Sequence, residues 1–361
     1  MPTKYRNTFL AKTSRALIYF VLIMVGAHVL VGCISVASED GGSKSIKPSI
    51  FDKLSSEAVL EFQLTANWDS VEFHKVDEKY VPALISSVGS MAAEAMTEEI
   101  KISARGNTRK AYCEVLPIRL RFPKAMLKAS RLAKYKTLKL VLPCMDGLDY
   151  SDLLKKEMLC YKLFQTLTNH SFRVQPARVF LVNDDELVDT VYKEAFLIEN
   201  DKEMAKRLGG KRLDKAVTSI SIIDAQSYNL MVLFQYMIGN TDWNLSKRHN
   251  IELVVTDSSS APIAIPYDFD YSGLVNAPYA HAHPDLPIAN VRERLFQWRG
   301  NDGKTLVEPI TIFIENKSRI FDLLENCSLH DKQAKVEMIR YIEEFYAIIE
   351  SPEAVDLLRG S

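Results

Sequence analysis

The stretch IGNTDWNLSKRHNIELVVTDSSSAPIAIPYDFDYSG, residues 238–273, carries most of what the sequence predicts about architecture and function. It sets Asp242 in a turn and Asn250 eight positions later, at the start of a β-type run. A second acidic pair, Asp268 and Asp270, follows directly after the next short β run. We therefore expect oxygen-bearing side chains from three points of the chain to meet at the ends of strands.

Phosphoryl transfer gives a chemical reason for this arrangement. The phosphates of a nucleotide reach a protein together with Mg²⁺, which takes oxygen ligands, so one or two carboxylates and an amide oxygen suffice to hold it. A further carboxylate accepts or orients the attacking hydroxyl. In protein kinases the base Asp comes first along the chain, followed by a metal-binding Asn and a metal-binding Asp. Asp242, Asn250 and Asp268 follow that order, although the chain contains no HRDxxxxN or DFG motif.

The spacing resembles that of atypical kinase-like folds, in which a GN-x-D element precedes a loop ending in Asn and a D-F-D or D-x-D follows the next hairpin. In this respect the chain is similar to the spore-coat protein H (CotH) kinase family and, more distantly, to the toxin kinase HipA. Upstream, residues 105–108 (RGNT) resemble that family's RGNST segment, and residues 139–142 (KLVL) resemble its K-W-V-L-L strand. A predicted helix at 151–168 and a strand ending at Glu199 lie where the family has its αC-like helix and a strand ending in Glu. The resemblance covers about residues 100–280.

The resemblance implies an α+β, atypical protein-kinase-like fold with two lobes. Residues 50–199 would form a β-rich N-lobe that includes the αC-like helix, and residues 200–361 a mainly helical C-lobe with the catalytic and metal-binding loops. The implied activity is that of a phosphotransferase that uses ATP and Mg²⁺ or Mn²⁺, with Ser or Thr hydroxyls of an envelope protein as acceptors. Transfer of AMP is one alternative. Because ATP is scarce outside the cytoplasm, an inactive binding or structural module is the other.

The resemblance also assigns roles at the reacting centre. Asp242 would be the base, and Asn250 and Asp268 would be the metal ligands. Asp270 would be a second metal ligand or a structural carboxylate.

Arg105 or Lys139 would hold the phosphates, with Glu157 as the partner of Lys139 and Glu199 at the hinge that meets the adenine. The alternating pattern places Lys139 on the face opposite its leucine neighbours, which fits a cleft-facing or a solvent-facing lysine, and Lys136 is the fallback. Arg105 precedes a turn whose N–H groups can approach an anion, although the same residues also suit an ordinary β-turn.

Hydrophobic periodicity predicts the remaining elements. Period-two alternation predicts strands at 59–64, 100–104, 118–122 and 137–142, with hairpins at 179–198 and 251–265. Helical spacing predicts helices at 151–168, 224–239, 290–298, 305–326 and 331–350, with Ser151 as the N-cap of the first, and a short helix and loop at 202–215.

Residues 1–32 are predicted to be a secretory signal peptide, because basic residues precede an apolar run. Residues 30–33 (LVGC) resemble a bacterial lipobox, in which acylation of Cys33 would anchor the chain to a membrane. The residue after Cys33 is Ile34 and not Asp, which by resemblance to Gram-negative lipoproteins suggests the outer membrane. An uncleaved anchor helix is the alternative, at the short limit of what spans a bilayer. Either way the globular part would lie in the cell envelope, on a flexible linker at 33–49.

Composition argues against nucleic acid as a partner. Hydrophobic residues make up 47% and charged residues 25% of the chain, as in ordinary globular domains, and the formal net charge is −1 without a basic stripe. Beyond Cys33, an even number of cysteines in an exported chain allows one or two disulfides, and buried free thiols are the open alternative. These cysteines are Cys113, Cys144, Cys160 and Cys327, none with the CxxC spacing of a zinc site.

Overall fold

Eleven α-helices and ten strands form in the part of the chain that the computed structural model describes. That part comprises residues 47–55, 59–88, 97–106, 108–184, 191–214, 219–257, 259–300 and 302–360. The predicted signal peptide, Cys33, most of the predicted linker and Asn107 lie outside it.

Period-two alternation of apolar residues produces the strands. They are β1 (Leu60–Ala66), β2 (Val81–Ser87), β3 (Thr97–Ala104), β4 (Ile118–Arg121), β5 (Thr137–Val141), β6 (Val174–Asn183), β7 (Val191–Ile198), β8 (Gly210–Arg212), β9 (Ile251–Thr256) and β10 (Ser259–Pro266). The four single strands predicted from the sequence correspond to β1, β3, β4 and β5. Both predicted hairpins form, as β6–β7 and β9–β10. β2 and β8 have no counterpart among the predicted strands.

The helices are more numerous than predicted. They are α1 (Ile50–Leu54), α2 (Trp68–Phe73), α3 (Thr108–Tyr112), α4 (Lys124–Ala129), α5 (Leu148–Leu167), α6 (Asp201–Arg207), α7 (Ala225–Ile238), α8 (Val307–Glu315), α9 (Lys317–Glu325), α10 (Lys332–Ile349) and α11 (Ala354–Arg359). The chain therefore has a mixed α+β fold, as the sequence predicted.

Seven strands close into a barrel in the order β1-β2-β3-β4-β5-β7-β6. Neighbouring strands are antiparallel except β1 and β6, which pair in parallel and close the ring. Alternate residues such as Leu64, Ile102, Leu120 and Leu140 are fully buried and belong to one hydrophobic cluster with α1 and α4. Closure removes the exposed sheet edges that would otherwise invite pairing with other chains.

A second hydrophobic cluster joins the sheet β10-β9-β8 to α5 and to the helices that follow it. Its centre is α7, which is buried almost all round, begins at the N-cap Asp224 and ends at Gly239. The sequence predicted both ends of this helix. Gly239 has a left-handed φ of 64°, and a Cβ there would meet the Tyr341 hydroxyl, so glycine suits the position on both counts.

α5 begins one turn earlier than predicted. Ser151 is not its N-cap, because the helix starts at Leu148 after Gly147, and the Ser151 hydroxyl donates a hydrogen bond to Glu194 on β7. The apolar side of α5 packs into the second cluster with α7, although its sequence position falls within the predicted N-lobe.

The C-terminal prediction needs two corrections. Residues 290–298 form turns and irregular backbone, and the segment 305–326 divides at Asn316 into α8 and α9. The Arg294 guanidinium donates to the Met237 and Tyr341 carbonyl oxygens, so side-chain contacts with the rest of the fold hold the irregular segment. The predicted final helix forms as α10, with Asp331 as its N-cap.

Cys113, just after α3, forms a disulfide with Cys144, before α5. Cys160 and Cys327 are free thiols. One of the two disulfides that the sequence allowed is therefore present. No helix within the described ranges is both long and apolar enough to span a membrane.

Candidate active site and metal centre

The turn after α7 brings Asp242 and Asn250 together, as predicted. The Asn240 side chain donates to Gln235 on α7 and accepts from the Asp242 N–H at 3.0 Å, so the helix end positions the turn. Asn250 Nδ2 then donates to the Asp242 carbonyl oxygen at 2.8 Å and to its carboxylate Oδ2 at 3.0 Å.

His249 completes this group. Its Nε2 lies 2.9 Å from Asp242 Oδ1, and this hydrogen bond raises the pKa of the imidazole. The backbones of Asn244 and His249 form a two-way hydrogen-bonded bridge that fixes the loop between them. Arg248 and Asn250, on either side of His249, have left-handed φ angles of 52° and 55°. Two such positions separated by one residue occur where the surrounding structure dictates a conformation, as at functional sites.

Three carboxylates form an acidic centre. Glu157 from α5 and Asp268 and Asp270 from the segment after β10 each place an oxygen within 4.8 Å of the others. Phe269 lies between the two aspartates and packs against Tyr161, with ring centroids 4.7 Å apart. The Tyr161 hydroxyl also accepts the Asp268 N–H at 2.9 Å. Since Tyr161 lies one helical turn after Glu157, α5 both supplies one carboxylate and anchors the loop that carries the other two.

Arg109, which the sequence analysis did not single out, penetrates this centre. Its Nη2 donates to Glu157 Oε2 at 2.5 Å and its Nε donates to Asp270 Oδ2 at 3.0 Å. The Tyr279 hydroxyl donates to the same Asp270 oxygen at 3.2 Å. The sequence offered one signal for Arg109, namely a second arginine four residues after Arg105.

Burial changes the ionisation of the centre. Desolvation raises the pKa of Glu157 to about 7 and also raises the pKa of Asp270, although Arg109 opposes both rises, and Asp268 adds to them by repulsion. Burial by itself would lower the pKa of Arg109, but Asp270 and Glu157 raise it well above its usual value. The guanidinium therefore stays charged.

The donor set of the acidic centre suits a hard divalent cation. Within the described part of the chain, Glu157 is 1% exposed and its Oε1 has no hydrogen-bond partner. A buried carboxylate oxygen without a partner costs free energy, and a cation bound among carboxylate oxygens would satisfy it. Glu157, Asp268 and Asp270 could therefore hold a divalent metal ion through oxygen ligands alone. Asn250 and Asp268 had been predicted as ligands from the sequence, with Asp270 as a second metal ligand or a structural carboxylate, whereas Glu157 had been predicted as the partner of Lys139.

Lys139 lies on the outer face of β5, and its partner differs from the expected one. The Lys139 ammonium is 2.7 Å from the Asp201 carboxylate and faces the Tyr267 ring, whose centroid is 5.0 Å away. The expected Lys139–Glu157 pair does not form, since Glu157 pairs with Arg109. β5 pairs with β7 so that Lys139 is opposite Ile198, which brings the lysine to the start of α6.

Arg105, like Lys139, acts electrostatically on Asp201. Burial would raise the pKa of Asp201, but Lys139 and, more weakly, Arg212 and Arg105 hold it below its usual value. Glu199 is fully buried and binds Arg207 and Arg173, at 2.6 and 2.9 Å. The Glu199 side chain therefore has a structural role, since it pairs with two arginines at the end of β7.

A wide groove of about 1270 Å³ opens beside Asp242 and His249. Aromatic rings and polar groups line it together, among them Trp243, Tyr271, Trp298, His281 and Arg299. Its volume exceeds the roughly 300–1,000 Å³ typical of small-molecule pockets. The groove is therefore large enough for part of a macromolecule.

The fold and the site thus define a mixed α+β protein with a buried acidic centre next to an open groove. A scan against protein-family models found no match, and a search of curated proteins also found none. The resemblance to CotH and HipA kinases stays a prediction from the order of motifs. Function is accordingly argued from the geometry of the site.

Proposed function

We propose that this protein is a kinase-like phosphotransferase that uses ATP with Mg²⁺ or Mn²⁺ to phosphorylate hydroxyl groups, most naturally Ser or Thr of a protein in the cell envelope. The observation that carries the proposal is the convergence of sequence-distant groups. Asp242 contacts Asn250 at 3.0 Å, and the Tyr267 N–H, next to Asp268, donates to the Asn250 carbonyl oxygen at 3.1 Å. The predicted base therefore lies near the segment that carries two of the three carboxylates.

A divalent cation at Glu157, Asp268 and Asp270 would neutralise charge on the phosphates during transfer. Asp242 accepts the proton of the acceptor hydroxyl, and its contacts with His249 and Asn250 fix the orientation of the carboxylate. The groove beside Asp242 receives the segment that carries this hydroxyl.

Lys139 and Arg105 supply positive charge for the phosphates, since Lys139 faces the ring of Tyr267, the residue before Asp268. Lys139 is half-buried and held by Asp201, a carboxylate that fixes its position as a helix glutamate does in protein kinases. Arg105 adds a second positive charge in the same region.

A two-lobed, kinase-like architecture is part of the proposal. Its support is the division of the buried residues into two hydrophobic clusters, one inside the barrel and one among the helices and the second sheet. The proposed ligands come from the second cluster, and Lys139 comes from the barrel wall.

We also propose that acylated Cys33 tethers the protein to the outer membrane of the cell envelope. The support is the lipobox-like LVGC sequence after a basic and apolar leader. A Cys33→Ala variant should leave the membrane fraction and lose the lipid mass. Retention in the membrane would instead indicate an uncleaved anchor.

A catalytically inactive, kinase-like binding or structural module is the second candidate. The position of Arg109 favours it, because the guanidinium already neutralises part of the acidic centre. ATP with Mg²⁺ or Mn²⁺ would then give no thermal shift. An AMP-transferring relative would bind the nucleotide but would add an adenylyl group, which intact-mass analysis of the product distinguishes from a phosphoryl group.

The test is calorimetric titration of ATP with and without Mg²⁺ into the wild type and an Asp268→Ala variant. We expect Mg²⁺-dependent binding in the wild type and its loss in the variant, since the substitution removes a metal ligand. The matched control is Asp285→Ala, at a highly exposed carboxylate. Unchanged binding by Asp268→Ala would refute the assignment of this ligand.

A further inference from the structure

We propose that Arg109 permanently occupies one of two cation positions in the acidic centre and thereby limits the centre to one divalent ion. The inference rests on the metal site proposed above. It assigns to Arg109 the role of setting how many ions that site accepts.

The contacts place the guanidinium where a second cation would bind. Arg109 reaches one oxygen of Glu157 and one oxygen of Asp270 with two different nitrogens, as a bridging ion would. Arginine suits such bridging because its N–H groups point in fixed directions and its charge is not lost. The arginine side chain is only 12% exposed, so the contact is an internal part of the structure.

The opposite side of the centre retains its oxygens for an ion. Glu157 Oε1 is buried and unpartnered among the described residues, and Glu157 and Asp268 place carboxylate oxygens within 4.8 Å of each other. Arg109 contacts Oε2 of Glu157 and Oδ2 of Asp270, and so leaves the other oxygen of each carboxylate in place.

The charges agree with one remaining ion. A bound divalent cation is held by deprotonated carboxylates, so in the metal-bound state Glu157, Asp268 and Asp270 together with the guanidinium carry a formal net charge of about −2, which one such ion neutralises. Without Arg109 this formal charge would be about −3, and the negative charge left after one ion has bound would attract a second.

Arg109 is held in place from several directions, which distinguishes it from a side chain that an incoming ion displaces. The Cys113 N–H donates to the Arg109 carbonyl oxygen at 2.8 Å, and the disulfide to Cys144 fixes this end of α3. The Tyr112 ring packs against Tyr279, with centroids 5.7 Å apart, and Tyr279 bonds to Asp270.

The experiment counts Mn²⁺ ions bound to the purified full-length protein, without nucleotide, by electron paramagnetic resonance. We expect one tightly bound ion in the wild type and two in Arg109→Met. Arg109→Lys keeps the charge and should bind one ion. Arg340→Met, at a position 75% exposed, makes the same charge change elsewhere and should bind one ion.

Each other result contradicts the inference. One ion in both the wild type and Arg109→Met would overturn it and leave the metal site of the proposed function intact. No ion in the wild type but one in Arg109→Met would show that the guanidinium closes the site. No ion in any variant would overturn the metal site and the inference together. If Arg109→Met does not fold, two ions in Arg109→Lys would still refute the charge argument.

Discussion

At the scale of single residues, the candidate site depends on unusual backbone conformations at polar positions. Asn250 and Asp268, both predicted metal ligands, have φ angles of 55° and 65°. Asn and Asp tolerate this left-handed region better than most residues, yet it still costs free energy. The neighbouring contacts, such as the Asp268 N–H to Tyr161 bond, hold the backbone there.

Asp242→Asn should lower the rate of phosphoryl transfer by about 10²–10⁴-fold, because an amide cannot accept the proton of the acceptor hydroxyl. Nucleotide binding should persist, since Asp242 is not among the three clustered carboxylates. Initial rates and calorimetry on the same preparation measure the two effects. Asp322→Asn is the control, at an exposed carboxylate of α9 outside the groove. An unchanged rate in Asp242→Asn would remove this residue from the mechanism.

Sequence predicted those site contacts that are local along the chain. Asp242 and Asn250 are eight residues apart, so a single loop determines their contact. Arg109 contacts Glu157 and Asp270 across 48 and 161 residues, and such contacts depend on the packing of the whole fold. For the same reason the partner of Lys139 was expected to be Glu157 and is Asp201.

At the scale of elements, strong periodicity predicted the segments well and their ends less well. α7 matches its prediction because Asp224 and Gly239 are clear start and stop signals. α5 starts at Leu148 and not after Ser151. Ser151 is a suitable N-cap by residue type, but its hydroxyl donates to Glu194 of a neighbouring strand. The apolar spacing at 290–298 predicted a helix, but the segment is irregular. The Arg294 side chain in this segment donates to the Tyr341 carbonyl oxygen.

Removal of the Cys113–Cys144 disulfide should destabilise the protein by about 3–4 kcal/mol, because the bond closes a loop of 31 residues in the unfolded chain. A Cys113→Ser/Cys144→Ser variant should therefore melt at a lower temperature in differential scanning calorimetry. Reducing agent should lower the melting temperature of the wild type and leave that of the variant unchanged. The control is Cys327→Ser, which removes a free thiol. Equal melting temperatures of wild type and double variant would contradict this prediction.

Glu203 of α6 should make stability depend on pH. Burial raises its pKa from 4.5 to about 7, although Ser49 and Arg173 bond to its Oε1. The folded state therefore keeps a proton that the unfolded chain releases. The stability from this group is present below pH 4.5 and is lost as the pH rises through 7.

Glu203→Gln should accordingly reduce the fall in the free energy of unfolding between pH 5 and pH 8, by up to about 3 kcal/mol. Denaturant unfolding at several pH values measures the slope. Glu99→Gln, at an exposed position of β3, is the matched control. Parallel curves for wild type and Glu203→Gln would show that the group does not titrate in this range.

At the scale of the whole molecule, the site lies where elements from distant parts of the chain meet. The Gly273 N–H donates to the Gly239 carbonyl oxygen at 3.0 Å, which joins the turn before Asp242 to the segment after Asp270. A Cβ at Gly239 or Gly273 would meet the Tyr341 hydroxyl of α10, so the C-terminal helices support both loops. The α+β class was predicted through the resemblance to kinase-like folds, whereas closure of the barrel depends on a parallel pairing of β1 and β6 that no local pattern encodes.

The central claim is that one divalent cation binds among Glu157, Asp268 and Asp270 together with a nucleotide. Anomalous diffraction from crystals grown with Mn²⁺ and a non-hydrolysable ATP analogue tests it most directly. The account predicts a manganese peak within coordination distance of all three carboxylates, with the phosphates of the analogue beside it and Asp242 facing the terminal one. A bound analogue whose manganese lies elsewhere, or an acidic centre without manganese at saturating concentration, would contradict it.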